Sequence, residues 1–466
     1  MAKPVLVFSP NCVCVLIFTS LLCSPNKTSA LWENNTLKII KNYYSVVEAS
    51  SLLHKINCKR SANGSFFNPI SLAQIHARDR SRRKSILLSG IVKPHLDVSM
   101  SESNLNRVDL PARSGLPEFV TGAYMVTVGL GTPKRDISLV FDTGSSVLWT
   151  QCKPCLKCYK QLEPIFDSSA SKTYRNVPCS SPLCRQPEEV FSISTNCSRD
   201  SCRYNGSYLD GTFTRGNVGI DKLTLTPSVA VNDYVFGCGH VNGGPNGLAA
   251  GIMGLGGGRS SIVSQIAPDK YFSYCLPKIS SYSSTGHLSF GKPKDNSKLK
   301  FTPLWTNVID NFYVINMTGI KVAGKMLHIP ESAFRSGVYI IDSGTTISSF
   351  LKPVYTVLRT AIRRAMRKYP LTEARNFDTC YDLSKYKTVK IPKVSFYFKG
   401  RVEVPIAPFG LFVGDTISQI CLAVSSVDPS SGDVPVAFFG NLAQQTLQIG
   451  YDVKNAQIGF AAGGCS

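Results

Sequence analysis

Two short strings in this 466-residue chain place an acidic residue where it can do chemistry. Leu139-Val140-Phe141-Asp142-Thr143-Gly144-Ser145 recurs as Tyr339-Ile340-Ile341-Asp342-Ser343-Gly344-Thr345. In each, an apolar run carries an aspartate inward, and a glycine then lets the backbone turn sharply and approach a ligand closely. If the two loops meet, their carboxylates share one site and cannot both ionise cheaply. One then holds a proton while the other stays charged. The charged carboxylate takes a proton from a water, and the protonated one donates to a carbonyl oxygen. That is a general base and a general acid with no metal, cofactor or covalent intermediate. Such a pair titrates as a unit, so sequence does not assign the proton to either residue. Singly, each aspartate would read as a turn residue satisfying local amides. The duplicated context argues against that.

The echo extends to the elements that must hold these loops. Ile252-Met253-Gly254 ends 112 residues after Asp142, and Phe438-Phe439-Gly440 ends 98 residues after Asp342. A two-part signal repeated at near-constant offset implies two homologous lobes. The length also exceeds one ordinary core. With 43% apolar and 17% charged residues and 36 glycines, the expected class is all-β, mainly strands with a few short helices. Strand-like runs begin at Tyr124. One clear helix is expected over Pro353–Lys368, with Val354, Val357, Leu358, Ala361, Ile362 and Ala365 on its apolar face. Its other face carries Arg359, Arg363, Arg364, Arg367 and Lys368, either a solvated surface or a polyanion site.

Residues 1–30 read as a secretion signal, with Lys3, an apolar run from Cys12 to Cys23 and small residues at Thr28-Ser29-Ala30. A chloroplast transit peptide would be richer in Ser and Arg, and this stretch has no Arg. The expected destination is extracellular, with chloroplast or vacuole as alternatives. No later run is long and apolar enough to suggest a membrane span. Residues 31–115 read as a removable prosegment and linker, with basic residues at Arg78, Arg80, Arg82, Arg83 and Lys84. An N-terminal lobe over 116–295 and a C-terminal lobe over 296–466 follow. The formal net charge is +21, and residues 1–116, with 15 Lys/Arg and 6 Asp/Glu, hold +9 of it. Near neutral pH the basic leader is expected to pair with carboxylates of the body. Acid would weaken those pairs, and a mature start is expected near residues 110–120.

Four of the 16 cysteines lie in the leader, and twelve remain. Seven fall between Cys152 and Cys202, so at least one must pair outward, and Cys238 is the nearest partner. Cys152, Cys155 and Cys158 also have knuckle spacing, but no histidine lies nearby, so disulfides are expected and no metal. Asn196, Asn205 and Asn316 begin glycosylation sequons.

From about Gly122 to the end the chain resembles the pepsin-like aspartic protease family, in the plant branch of nepenthesins and chloroplast-nucleoid-type enzymes. The likeness is carried by both Asp-Thr/Ser-Gly strings, Val128-Gly129-Leu130-Gly131-Thr132-Pro133, Trp149-Thr150-Gln151-Cys152, Gly251-Ile252-Met253-Gly254-Leu255-Gly256, Tyr271-Phe272-Ser273-Tyr274-Cys275-Leu276-Pro277, and Gly440-Asn441 with Gln444-Gln445. The resemblance implies a bilobal fold around a central cleft, with Asp142 and Asp342 holding the lytic water. It implies that Thr143 and Ser343 exchange hydrogen bonds beneath the pair, that Ser145 and Thr345 bond the outer carboxylate oxygens, and that Gly144 and Gly344 complete the loops. A flap follows as Tyr208-Leu209-Asp210-Gly211-Thr212, with Trp149 bracing Tyr208. Leu209 departs from the family's usual glycine, which is expected to narrow the neighbouring subsites. The resemblance also implies Cys152–Cys155, Cys158–Cys238, Cys179–Cys202, Cys184–Cys197, Cys275–Cys465 and Cys380–Cys421.

The expected function is therefore a secreted aspartic endopeptidase, made as a zymogen and monomeric, with peptides or proteins as substrates and its own prosegment as intramolecular inhibitor. A non-catalytic inhibitor or storage-like relative is the first alternative. A protease that also binds DNA is the second, allowed by the positive charge but supported by no DNA-reading motif.

Overall fold

The computed structural model describes residues 107–465 apart from short interruptions at 117, 120, 186–193, 209, 245, 280–283, 307, 310, 375–376, 417–418 and 429–433. It also describes Arg78–Asp79 and the backbone of five short strands between Val7 and Ile40. The fold is all-β, as expected from composition, and bilobal, as the internal echo implied.

The first lobe is built outward from the strand Arg135–Asp142, whose last six residues are buried. Tyr124–Leu130 pairs antiparallel on one side, and Gly251–Gly254 runs parallel on the other, setting Met253 beside Phe141 and Gly254 beside Asp142. A strand covered on both faces needs apolar residues at consecutive positions rather than alternate ones, and Ile137 to Phe141 meets that need apart from Ser138. Further out, the long hairpin Phe213–Thr226 and Val229–Gly243 carries the Cys-rich insertion on its edge. The second lobe repeats the central arrangement. Val338–Ile341, buried throughout, pairs parallel with Val436–Phe439, setting Ile341 beside Phe439.

One 16-stranded sheet joins the lobes. It passes from Tyr124–Leu130 through Val108–Ser114, Gly286–Phe290 and Tyr271–Cys275 to Leu447–Asp452 and Gln457–Ala462. Val108–Ser114 alternates strictly between buried and exposed residues. Val108, within the stretch assigned above to prosegment and linker, is thus the first residue of a paired strand of this sheet.

The helix runs over Lys352–Ala365, a turn shorter than expected at its C-terminal end. It buries Val354, Tyr355, Leu358 and Ile362. Ala365 is exposed, and Met366 just beyond the helix is buried in its stead. On the basic face, Arg359 binds Asp378 at 2.6 Å and Arg363 donates to Thr379 at 2.9 Å. Two of its five cations are therefore engaged with a neighbouring strand.

Six disulfides form among the described cysteines. Cys275–Cys465 and Cys380–Cys421 are joined as the resemblance implied. The other four pairs correct it. Cys152 bonds Cys238, leaving Cys155 to close a short loop with Cys158. The reason is register: Trp149–Lys153 runs parallel beside Val229–Gly243 with Thr150 opposite Cys238, and Cys152, two residues further along the same face, has its Cα 5.3 Å from that of Cys238. In the insertion, Cys179 bonds Cys197 and Cys184 bonds Cys202. Cys197 and Cys202 stand opposite each other across a hairpin, so spacing alone does not say which takes which partner. The approaching chain decides it, held by the Cys202 N–H to Val177 O bond at 2.8 Å and the Cys179 N–H to Asp200 O bond at 3.3 Å. The knuckle-spaced sulfurs of Cys152, Cys155 and Cys158 are all consumed in disulfides. Among the described residues no helix is long and apolar enough to cross a membrane.

Candidate active site

Each aspartate sits at the end of a buried strand, in a loop wired the same way. Gly144 N–H donates to Asp142 Oδ1 at 2.9 Å, and Ser145 Oγ–H donates to Asp142 Oδ2 at 2.6 Å. Gly344 N–H donates to Asp342 Oδ1 at 2.8 Å, and Thr345 Oγ1–H to Asp342 Oδ2 at 2.6 Å. Both carboxyls are fully buried. A carboxylate in such a place is stabilised by donors to both oxygens, here one amide and one hydroxyl each.

The two loops are stitched together directly beneath the aspartates. Ser343 N–H donates to Thr143 Oγ1 at 2.9 Å, and Thr143 N–H donates to Ser343 Oγ at 3.0 Å. Each hydroxyl in turn donates a hydrogen bond to the other lobe's strand, Ser343 to Phe141 O at 3.0 Å and Thr143 to Ile341 O at 3.3 Å. The structure thus brings together two acidic residues 200 positions apart in sequence.

The later glycines of the echo explain themselves here. A Cβ on Gly254 would lie 2.3 Å from the Ser146 carbonyl carbon, and one on Gly440 would lie 2.8 Å from Thr346 O. Only glycine lets these strands pass under the aspartate loops.

Trp149 Nε1–H donates to the Tyr208 hydroxyl at 2.9 Å, and both rings are buried. The flap turn closes with Tyr208 N–H to Thr212 O at 2.6 Å and Gly211 N–H to Tyr208 O at 3.2 Å. Gly211 has φ of +85° with open space around it, so the left-handed position of this turn falls on a glycine. Asp210 Oδ1 accepts the Thr212 N–H at 2.9 Å. Leu209 lies outside the described residues. Asn196 and Asn205 are exposed, and Asn316 is half-buried.

A second set of buried polar residues, to which sequence reasoning gave no role, links the lobes. Asn441 Nδ2 donates to Ser343 O at 2.9 Å and to Gly122 O at 3.3 Å, spanning both lobes. Gln444 Nε2 donates to Phe439 O at 2.7 Å and Asp342 O at 3.2 Å. Gln444 Oε1 accepts from Tyr274 at 2.5 Å, and Tyr274 bonds Tyr451 at 2.9 Å. Burial, aided by the charge of nearby Asp342, pushes the Tyr274 and Tyr451 phenols up, so they stay neutral hydroxyls. Sequence carried little signal for these residues, because Gln444 is flanked by Gln445-Thr446 and Tyr451 by Asp452.

A family model described as "Xylanase inhibitor N-terminal" matches residues 124–292, and one described as "Xylanase inhibitor C-terminal" matches residues 312–462. Together with the duplicated aspartate loops, these matches define the class: the chain belongs to the pepsin-like aspartic protease family. Its relatives are plant proteins. An aspartyl protease family protein of Arabidopsis thaliana is 42% identical over 88% of this chain and 85% of its own. The aspartic proteinase nepenthesin-1 of Nepenthes gracilis is 34% identical over 74% of this chain and 78% of its own. Among solved structures, the Basic 7S globulin from soybean matches with a TM-score of 0.60 at 20% identity, covering 76% of this chain and 95% of that one. That likeness bears on the fold.

Proposed function

We propose that this chain is a secreted aspartic-type endopeptidase, made as a precursor, in which Asp142 and Asp342 activate one water. The matching cradles around the two buried aspartates carry this proposal. One carboxylate takes a proton from the water while the other donates to the scissile carbonyl oxygen, and the roles reverse as the amine departs. Thr143 and Ser343 set the spacing of the pair, and Tyr208, braced by Trp149, covers the bound peptide. Substrates are extended peptides lying along the cleft between the lobes. The six disulfides support an oxidising destination.

The basic leader acts as the intramolecular inhibitor, released as acid protonates the carboxylates that hold it. Because Val108–Ser114 is a paired strand of the joining sheet, processing falls ahead of Val108 rather than within 110–120. Sequencing the N-terminus of the active secreted form tests this.

Asp142→Asn and Asp342→Asn, each purified in the processed form, are expected to lose roughly 10²–10⁴ in peptide-cleavage rate, with the fold retained. Substantial residual turnover in either variant overturns the assignment of the pair. A wild-type processed protein that binds peptides without cleaving them would instead mark a non-catalytic member of the family.

A further inference from the structure

Besides the pairing of its strand Thr36–Ile40 with Thr388–Lys390, the leader touches the body through the side chains of Arg78 and Asp79. Arg78 Nε donates to Asp210 Oδ2 of the flap at 2.8 Å, with these two side chains only 10% and 3% exposed. Its guanidinium also reaches Thr121 Oγ1 at 3.3 Å. The next residue, Asp79, is buried at 1% exposure. Its carboxylate accepts the Thr346 N–H at 3.1 Å and the Ile347 N–H at 2.6 Å, four and five residues beyond Asp342.

Two adjacent side chains of opposite charge therefore bind the two lobes, one each. The arginine holds the flap and Thr121 of the first lobe, and the aspartate holds the loop that follows the second catalytic residue. Buried charges are costly unless paired and hydrogen-bonded, and each of these is satisfied by groups from the body. Neither interaction is a loose surface ion pair of the kind that contributes little. With Arg78 on the flap and Asp79 on the loop beyond Asp342, a peptide cannot occupy the same groups.

We propose that Arg78–Asp79 is a two-sided latch that ties the flap to the second lobe and keeps the precursor's cleft closed to substrate. Its effect on latency rests on the protease function proposed above; the latch itself does not.

The test uses the full unprocessed chain, wild type and Arg78→Ala/Asp79→Ala, with two readouts. The first is hydrogen exchange at the Thr346 and Ile347 amides, which needs no catalysis. Both are expected to exchange at least about tenfold faster in the variant, since their acceptor is gone. The second is affinity for a statine-containing peptide, expected to be at least about tenfold tighter for the unprocessed variant than for the unprocessed wild type. The processed forms of the two, which lack the dipeptide, should bind it alike. Unchanged exchange and unchanged affinity in the unprocessed variant overturn the latch. Faster exchange in a protein whose processed form never cleaves peptides sustains the latch and overturns the protease assignment instead. Should the double variant not be secreted, a synthetic peptide of residues 72–84 added to processed wild type decides. Competition with the statine peptide that is lost on replacing its Arg-Asp by Ala-Ala supports the latch, and equal competition by both peptides overturns it.

Discussion

Trp149 and Tyr208 show how much of the site hangs on single atoms. The indole Nε1–H to phenol bond at 2.9 Å is buried and fixes the orientation of the Tyr208 ring. Trp149→Phe keeps most of the ring packing and removes only the donor. A buried neutral hydrogen bond is worth about 1 kcal/mol, so kcat/KM on a peptide substrate should fall about fivefold while Tm moves little. An unchanged kcat/KM would remove Trp149 from the proposed positioning role. At this scale the sequence was most legible where it repeated itself. Asp142 and Asp342 stood out because their surroundings come twice, and Tyr208 because it stands in a flap-like string. Asn441 and Gln444 occur once, and their importance lies in backbone carbonyls that no side-chain pattern displays.

Among the elements, the helix Lys352–Ala365 was legible from its apolar period, and its end was not. Met366 continues the buried stripe after the helical bonds stop, and periodicity alone does not mark that change. Val108–Ser114 went unread although Val108, Leu110 and Ala112 alternate with exposed residues. It lies in a basic, polar neighbourhood and contains Pro111, which normally argues against a paired strand. Disulfide pairing was the least legible, because sheet register decided it.

The helix is docked through Asp378, which takes hydrogen bonds from Tyr355 at 2.6 Å and Arg359 at 2.6 Å. Partial burial pushes this carboxyl up, but the bonds from Tyr355, Arg359 and Thr379 outweigh it and hold Asp378 below the usual carboxylate range. A carboxyl whose folded pKa is depressed stabilises the fold fully above its unfolded value of about 4 and loses that contribution as pH falls through the lower folded value. Asp378→Asn should therefore lower Tm near neutral pH, and the gap to wild type should narrow as the pH falls below the ordinary carboxylate range of about 4. A gap that persists undiminished in acid would mean that the side chain acts through shape rather than charge.

At the scale of the molecule, the two lobes are joined by more than the aspartate loops. Leu447–Asp452 pairs with Tyr271–Cys275 over five residue pairs, and Cys275–Cys465 closes a separation of 190 residues across the same sheet. Phe272, Tyr313 and Tyr451 pack around the seam, with Phe272 stacked on Tyr451 at 4.3 Å. Removing this bond by Cys465→Ser together with Cys275→Ser should cost about 2–5 kcal/mol, read as a lower denaturation midpoint in urea. An unchanged midpoint would show that the strand pairing alone holds the seam.

The joining sheet also constrains the order in which the chain can be finished. As the polypeptide emerges from the ribosome, the strand Tyr271–Cys275 has no neighbour on one edge until Leu447–Asp452 has been made, long after Asp142 is already in place. Domains otherwise tend to fold as they emerge, N-terminal first. Here the first lobe waits for the second, and the Cys275 thiol waits for Cys465. A nascent chain bearing only Asp142 has no partner carboxylate and an open sheet edge, so it is at once harmless as a protease and prone to mispairing. The leader, translated before both, is present throughout that interval.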